Sequence, residues 1–228
     1  MDTAKIIVID GGANIGKATQ ADMLMNRLMN EGYNVGKMDF PRYNQNTIGH
    51  LLNDLVDKHP EAVKQLPPKA LALLFAADRF ESKKQIDEWI KEGRVIIFDR
   101  YVSANMLHQG SKIADVDARE EFFGWVQHVE YEIFGMPRPH LTVYLDVPPN
   151  ESEKLLGYVE ELGVVVTQME DQAKVHQAKV SECARFLSAA ERNWVTVQCL
   201  TDGTLRDRDQ IHEEVYQVVK TKLFTPVA

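Results

Sequence analysis

Residues 6–20, IIVIDGGANIGKATQ, constrain the fold of this chain more than any other stretch. Their β-branched apolar run predicts a buried strand, two glycines follow it, and Gly16 and Lys17 open a helical pattern. A strand, a glycine-rich turn and a helix with the spacing G-x-x-x-x-G-K are typical of a loop that binds phosphate through its backbone N–H groups. The residues expected around the phosphates are Gly11, Gly12, Ala13, Asn14, Ile15, Gly16, Lys17, Ala18 and Thr19. The alternative is a glycine-lysine turn that binds nothing.

Composition limits the classes of protein to which the chain can belong. A length of 228 residues with 44% hydrophobic and 26% charged residues is ordinary for a globular α/β domain with a real core. The net charge of −8 argues against non-specific binding to nucleic acid or to an anionic membrane. No apolar run approaches the length of a membrane span. Cys183 and Cys199 lack ligand spacing and indicate reduced thiols, so we expect a cytoplasmic protein.

Apolar strands alternate with helical patterns along the rest of the chain. Further strands are predicted at 33–40, 94–98, 141–147 and 194–199, and helices at 47–56, 67–89, 119–134, 151–162, 170–190 and 207–220. This alternation predicts a doubly wound α/β fold with right-handed crossovers and a sheet of about five parallel strands. Ligands of such sheets bind in a crevice at the carboxyl ends of the strands.

Charged and aromatic residues in these elements allow more than one interpretation each. Arg79 interrupts the apolar helix predicted at 67–89, and it either extends to solvent or takes part in a site. Asp99 and Arg100 end a strand, and they either cap the next helix as an ion pair or face the ligand crevice. The aromatic residues of 119–134 either belong to the core or to a dimer face, or they form a base-stacking platform. They are Phe122, Phe123, Trp125 and Tyr131.

Several short motifs occur in an order that matches one family. They are residues 10–20, Phe40-Pro41-Arg42-Tyr43, Leu74-Phe75-Ala76-Ala77-Asp78-Arg79, Asp99-Arg100-Tyr101 with Asn105 and Gln109, and residues 137–139 with 145–149. With these motifs the chain resembles the thymidylate kinases, which are P-loop nucleoside monophosphate kinases. The resemblance implies the three-layer α/β/α P-loop NTPase fold, a single domain over residues 1–228 with a helical lid near 150–171, and a homodimer. It also implies transfer of the γ-phosphoryl group of ATP to dTMP, with Mg²⁺ and without a covalent enzyme intermediate.

The resemblance assigns roles to the residues that would bind dTMP. Phe75 matches the aromatic residue that stacks on thymine, and Arg79, one helical turn later, matches the arginine that contacts a base carbonyl. Asn105 matches the amide that reads the pyrimidine edge. Arg42 and Arg100 match the arginines that hold the acceptor phosphate. The remaining substrate-binding positions are Phe40, Tyr43, Tyr101 and His108, of which the two tyrosines match residues packed at the sugar.

The same resemblance implies the catalytic residues. They are Lys17, Arg42, Asp99 and Arg100. Asp99 matches an acid beside the metal and the phosphates, which would bind Mg²⁺ through water. Positive charge over the moving phosphoryl group and alignment of the two substrates are what phosphoryl transfer requires.

The chain departs from the family pattern in the loop and in the lid. Ala13 replaces an acid and Ala18 replaces a hydroxyl residue. The lid is acidic and lacks arginine, so that Lys154, Lys174 or Arg138 would have to replace a catalytic arginine. Two alternatives to an active dTMP kinase therefore remain. One is a catalytically impaired nucleotide-binding protein, and the other is a kinase for another deoxynucleoside monophosphate.

Overall fold

The computed structural model describes residues 4–12, 15–147 and 171–224, without the side chains of 171–174. The strands are β1 (Lys5–Gly11), β2 (Val35–Asp39), β3 (Val95–Asp99), β4 (Leu141–Asp146), β5 (Trp194–Gln198), β6 (Leu200–Thr201) and β7 (Thr204–Leu205). The helices are α1 (Lys17–Asn30), α2 (Thr47–Lys58), α3 (Pro60–Gln65), α4 (Pro68–Glu81), α5 (Lys83–Lys91), α6 (Val102–Gly110), α7 (Val116–Gln127), α8 (Asp171–Ala190) and α9 (Arg208–Val219). The π-helical turns His128–Ile133 and Lys220–Phe224 extend α7 and α9.

Strands β1 to β5 form one parallel sheet in the order β2-β3-β1-β4-β5, which confirms the α/β class and the number of parallel strands that the sequence predicts. Successive residues of β1 point to opposite faces of this sheet. Ile6 and Val8 pack into the core formed with α4 to α8, and Ile7 and Ile9 pack into the core formed with α1 and α9. Because helices cover both faces, the strands are nearly continuous apolar runs.

Three neighbouring strands end at one edge of the sheet. In the strand register, Ile9 of β1 and Asp39 of β2 both lie opposite Asp99 of β3. The residues that follow these positions therefore emerge side by side, because parallel strands end at the same edge. This edge is where the sequence places the glycine-rich loop.

Side-chain caps explain where two helices begin. The Asn46 side chain accepts a hydrogen bond from the Gly49 N–H at 2.6 Å, and the Asp115 side chain accepts one from the Ala118 N–H at 2.8 Å. Pro68 opens α4, as its sequence position predicts. Within the described residues, none of these helices has the length and apolar character needed to cross a bilayer.

Two helix predictions need correction. The single helix predicted at 67–89 is two helices, α4 and α5, separated at Ser82. Ile86 beyond the break still packs into the same core, so the apolar pattern gives no sign of the interruption. Helix α3 was not predicted, because it buries no residue and carries no apolar periodicity. The helix predicted at 151–162 lies outside the described residues.

The aromatic residues of α7 belong to the core. Phe122 and Phe123 are buried, and the Phe123 ring lies 5.8 Å from the Phe186 ring of α8. Trp125 is partly buried, with its ring 5.9 Å from that of Phe122. Of the interpretations of this stretch, the structure supports core packing.

Candidate active site

Two glycines allow the sharp turn between β1 and α1. Gly11 has φ 155° and Gly16 has φ 84°, backbone conformations that side chains disfavour. A Cβ added at Gly11 would lie 2.8 Å from the Leu145 carbonyl oxygen, a backbone atom that cannot easily move. Gly16 is the N-cap of α1 and supplies no side-chain cap, which leaves the first N–H groups of the helix available to an anion.

Lys17 is the first residue of α1, and its side chain is buried against the loop. It is 6% exposed, and its Nζ donates a hydrogen bond to the Gly12 carbonyl oxygen. Burial lowers the pKa of Lys17 to about 7, and the charge of Arg100 acts in the same direction. Phosphate oxygens at the loop would favour the charged form of this lysine. Lys17 is therefore placed to respond to phosphate binding.

A cavity of about 390 Å³ opens beside Lys17, a volume within the range of small-molecule sites. We call it the loop cavity. Its described lining residues are Ile15, Gly16, Lys17, Ala18, Asp39, Phe40, Pro41, Tyr43, Asp99 and Arg100. Arg100 has φ 64°, in the left-handed region that costs a non-glycine residue on the order of 1–3 kcal/mol. The fold holds this arginine in a strained backbone conformation at the cavity wall.

Two acids lie close to Lys17. Asp10 is fully buried and accepts hydrogen bonds from Ser103 Oγ at 2.5 Å and from the Gly11 N–H at 2.8 Å. Burial raises the pKa of Asp10, although the Ser103 hydrogen bond opposes this shift. Burial also raises the pKa of Asp99, and the Lys17 charge opposes it. The charge of Lys17 thus acts on both carboxyl groups and lowers the pKa of each.

The described residues contain no cluster of three or more His, Cys, Asp or Glu side chains arranged to hold a metal. Asp99 and Asp39 both line the loop cavity, and both supply carboxylate oxygens. Mg²⁺ commonly uses one or two protein carboxylates and completes its coordination with water and phosphate oxygens. This donor set therefore fits Mg²⁺ bound together with a nucleotide.

A second cavity adjoins the loop cavity, and we call it the aromatic cavity. The residues that line both cavities are Phe40, Pro41, Tyr43 and Arg100. The other described residues of the aromatic cavity are Phe75, Arg79, Ala104, Asn105, His108 and Gln109. Helices α4 and α6 thus bring four of the nine predicted substrate-binding residues to this cavity, namely Phe75, Arg79, Asn105 and His108. Lys17 lines the loop cavity, and Phe75 lines the adjoining aromatic cavity.

A buried ion pair lies at the aromatic cavity, with Arg79 in its wall and Glu130 behind Arg79. Arg79 of α4 is 2% exposed and Glu130 of the π-helical turn is 1% exposed. The Arg79 Nε and Nη2 donate to the two Glu130 carboxylate oxygens at 2.5 Å and 2.7 Å. Burial alone disfavours a charged arginine, but Glu130 outweighs it and raises the pKa of Arg79. Of the two interpretations of Arg79, extension to solvent is wrong.

His108 contributes an uncharged part of the same wall. Its Nδ1 lies 3.4 Å from Nε2 of His176 on α8. Burial lowers the pKa of His108 well below its usual value, and the charges of Arg100 and His176 act in the same direction. A neutral imidazole is compatible with an uncharged ligand ring.

Tyr101 is not among the described residues that line either cavity, although we predict it at the sugar. Its side chain is fully buried, and its ring stacks on Phe98 with a centroid distance of 4.5 Å. Its hydroxyl group donates to the Pro137 carbonyl oxygen at 3.0 Å. These contacts place the Tyr101 ring in the core, and its contact with the sugar stays a prediction from the family resemblance.

Two arginines with predicted roles are also absent from the described walls of the loop cavity and of the aromatic cavity. The Arg42 N–H donates to the Asp78 carboxylate at 3.0 Å, which fixes the backbone of this residue but leaves its side-chain role untested. Arg138 pairs with Glu132 at 2.9 Å and lies over the Tyr131 ring at 4.3 Å. Arg138 thus contacts Glu132 and Tyr131, and its replacement of a catalytic arginine stays a prediction.

Several predictions fall where the structure gives no description. Ala13, Asn14 and Lys154 lie outside the described residues, and the side chain of Lys174 is among those left out. The helical lid near 150–171 lies almost entirely in the same gap. These remain predictions from the sequence.

The sequence analysis missed two residues of the site, Glu130 and Gln177. Glu130 continues the apolar face of α7, four positions after Val126, and an acid on such a face is a signal of a buried ion pair. Gln177 of α8 packs on the loop, because a Cβ added at Gly12 would lie 1.6 Å from Gln177 Nε2. No local sequence pattern connects Gln177 with the loop.

The parallel sheet, the glycine loop with its buried lysine and the two adjoining cavities define a nucleotide-binding transferase of the α/β kinase class. The family model described as thymidylate kinase matches residues 9–206. The chain belongs to the thymidylate kinase family, and it is an enzyme.

Individual relatives agree with the family model. A probable thymidylate kinase of Pyrococcus horikoshii is 30% identical over 224 residues, which cover 95% of this chain and 96% of the relative. A thymidylate kinase of Plasmodium falciparum is 25% identical over 219 residues, which cover 96% of this chain and 91% of the relative. The solved structure of thymidylate kinase from Candida albicans has a TM-score of 0.68 at 22% identity and covers 96% of this chain and 92% of that one, which shows the same fold.

Proposed function

We propose that this chain transfers the γ-phosphoryl group of ATP to dTMP and forms dTDP. The observation that carries the proposal is the contact between the two cavities. One lies beside Lys17, the other is walled by Phe75, and Arg100 lines both. ATP phosphates in the loop cavity and a thymine ring on Phe75 would bring donor and acceptor together at Arg100. Such alignment is the main requirement of phosphoryl transfer.

Charged residues around this meeting point would stabilise the transferring phosphoryl group. Lys17 and the N–H groups at the start of α1 would bind the ATP phosphates. Arg100 would contact the phosphoryl group from its position between the two cavities, and Arg42 would hold the acceptor phosphate. Asp99 would hold Mg²⁺ through water, and the ion would neutralise phosphate charge. The protein forms no covalent bond to substrate in this scheme.

An exposed apolar surface on α4 is the proposed dimer interface. Leu73 and Phe80 lie two helical turns apart, and both are exposed. Ile133 is exposed next to Phe134, whose ring lies 5.1 Å from that of Phe80. A homodimer would cover this surface. Light scattering should then give twice the chain mass for the wild type and the single chain mass for Phe80→Glu.

Two further parts of the proposal concern domain organisation and location. We propose that residues 1–228 form one domain with a lid near 150–171. The free, buried thiols of Cys183 and Cys199 agree with a reducing compartment, and we propose the cytoplasm.

A coupled ADP-release assay tests the proposed reaction. Purified protein should turn over dTMP at a rate on the order of 1 s⁻¹ or faster with ATP and Mg²⁺, and chelation of the metal should stop turnover. The panel should also include dUMP, dCMP and dGMP. Tight dTMP binding without turnover would indicate a catalytically impaired binding protein, and preferred turnover of another monophosphate would indicate a different kinase.

A further inference from the structure

Glu130 shares its carboxylate between two residues of the aromatic cavity. It accepts hydrogen bonds from Arg79, as described above, and its Oε1 also accepts one from Asn105 Nδ2 at 2.9 Å. Glu130 itself is not among the described lining residues of that cavity. It therefore acts on the cavity through the side chains that it holds.

The orientation of the Asn105 amide follows from its neighbours. Nδ2 lies 2.9 Å from the Ala72 carbonyl oxygen in addition to the Glu130 carboxylate. Both neighbours can only accept hydrogen bonds, so the amide nitrogen and not the oxygen must face them. Both amide protons are thereby used. Among the described residues, no donor is bonded to Asn105 Oδ1, which is left as an acceptor at the cavity.

The orientation of Arg79 is restricted in the same way. Glu130 occupies its Nε and one N–H of Nη2 through two parallel hydrogen bonds, which fix the plane of the guanidinium group. Within the described part of the chain, Nη1 has no hydrogen-bond acceptor. The cavity therefore presents a donor from Arg79 and an acceptor from Asn105.

This donor and acceptor match one class of pyrimidine. Thymine and uracil carry a C4 carbonyl group, which accepts, beside N3–H, which donates. Cytosine carries the reverse arrangement, with a C4 amino group that donates and an N3 that accepts. A cytosine ring in the same pose would leave both fixed protein groups without partners, and such a mismatch strongly disfavours binding.

We propose that Glu130 is a positioning residue that sets the hydrogen-bonding polarity of the aromatic cavity and so selects 4-oxo over 4-amino pyrimidine nucleotides. This inference rests on the proposed function, because it requires a pyrimidine nucleotide in that cavity. It assigns specificity to a residue that does not touch the substrate. The oxygen of a Gln at this position could take the place of Oε1, which accepts from both Arg79 Nη2 and Asn105 Nδ2, but its amide nitrogen would then face the Arg79 Nε donor. The guanidinium group would lose one of its two parallel hydrogen bonds and its charged partner, so its plane would no longer be fixed.

The test compares Glu130→Gln with the control Glu132→Gln. Both variants remove one negative charge from the same helical turn, but the Glu132 side chain is 59% exposed and pairs with Arg138. For Glu130→Gln, kcat/KM for dTMP and dUMP should fall about 30-fold or more, mainly through KM, while that for dCMP changes little. The dTMP preference over dCMP should therefore fall at least about tenfold. The KM for ATP should stay constant, and Glu132→Gln should match the wild type.

Glu130→Asp keeps two accepting oxygens and should restore part of the preference. An unchanged ratio of dTMP to dCMP turnover in a folded Glu130→Gln variant overturns the inference and leaves the proposed function standing. Absence of dTMP turnover in the wild type overturns the proposed function instead.

A measurement on the wild type covers the case in which Glu130→Gln does not fold. In ¹⁵N-labelled protein without nucleotide, the Arg79 Nε proton and the Asn105 amide protons should exchange slowly with solvent. Fast exchange of these protons would show that Glu130 does not hold them before the substrate binds, which would also overturn the inference.

Discussion

The loop cavity and the aromatic cavity adjoin, but they are built differently. The loop cavity contains the backbone turn that leads into α1, with Lys17 as the charged side chain of that turn, and the ends of β2 and β3 supply its other described walls. The wall of the aromatic cavity contains side chains from α4 and α6, and Glu130 of the turn after α7 joins two of them from behind that wall. A backbone site can bind any phosphate in similar geometry, whereas a side-chain network can distinguish one base from another. The molecule thus separates phosphate binding from base selection.

Removal of the Lys17 charge should have the largest effect on activity. This effect should be confined to the function of the loop cavity. We expect Lys17→Met to lower kcat about 10³-fold, because a preorganised charge at the transferring phosphoryl group is lost. The affinity for dTMP, measured by calorimetry without ATP, should remain within about threefold of the wild type. A matching loss of dTMP affinity would show that the two cavities are not separate in function.

Truncation of the Phe75 ring should weaken binding of the base in the aromatic cavity. Phe75→Leu should raise the KM for dTMP about tenfold, since an aromatic stack on a base is replaced by a smaller apolar contact. Phe75→Tyr keeps the ring and serves as the matched control. Steady-state kinetics should show an unchanged KM for ATP in both variants. Equal KM values for dTMP in both would contradict stacking.

The pH dependence of ATP affinity should distinguish the two cavities further. Because burial lowers the pKa of Lys17 to about 7 in the free protein, this side chain loses its proton as pH rises above 7. ATP binds the charged form, so binding takes up a proton and affinity falls with rising pH, by up to about tenfold per unit. Fluorescence titrations with ATP at a series of pH values from pH 6 to pH 8.5 would measure this change in affinity.

Two controls isolate this effect. Lys17→Met should lack the additional pH dependence, since the titrating group is gone. The affinity for dTMP should have the same pH profile in the wild type and in Lys17→Met, because Lys17 is not among the described lining residues of the aromatic cavity. Identical profiles for wild type and Lys17→Met would exclude a lysine with a lowered pKa.

Substitution of Tyr101 should have the smallest effect of these changes. It tests whether the Tyr101 side chain belongs to the core. Tyr101→Phe should lower the free energy of unfolding by about 1 kcal/mol, because the hydrogen bond to the Pro137 carbonyl oxygen is lost. Chemical denaturation would measure this change. The kcat and KM values for dTMP should stay within about twofold of the wild type. A large rise in KM would return Tyr101 to the sugar-binding role that the family resemblance implies.

Local spacing was sufficient to predict the strand, the glycine loop and the helix around Lys17. A backbone turn depends on residues that are close together in the chain, and Gly11 and Gly16 occupy the positions where the structure needs unusual φ values. The alternation of strands and helices likewise predicted the parallel sheet. The motif residues Phe75, Arg79 and Asn105 could be placed together because the family resemblance supplied the long-range information.

Burial and partner choice depended on the tertiary structure. The sequence shows an acid at Glu130 and a tyrosine at Tyr101, but only the packing of distant elements decides that the first pairs with Arg79 and the second with Pro137. Gln177 reaches Gly12 for the same reason. Sequence by itself therefore determined the local backbone that can bind phosphate. The fold decided which charges are buried together, because desolvation and pairing are set by neighbours from other parts of the chain.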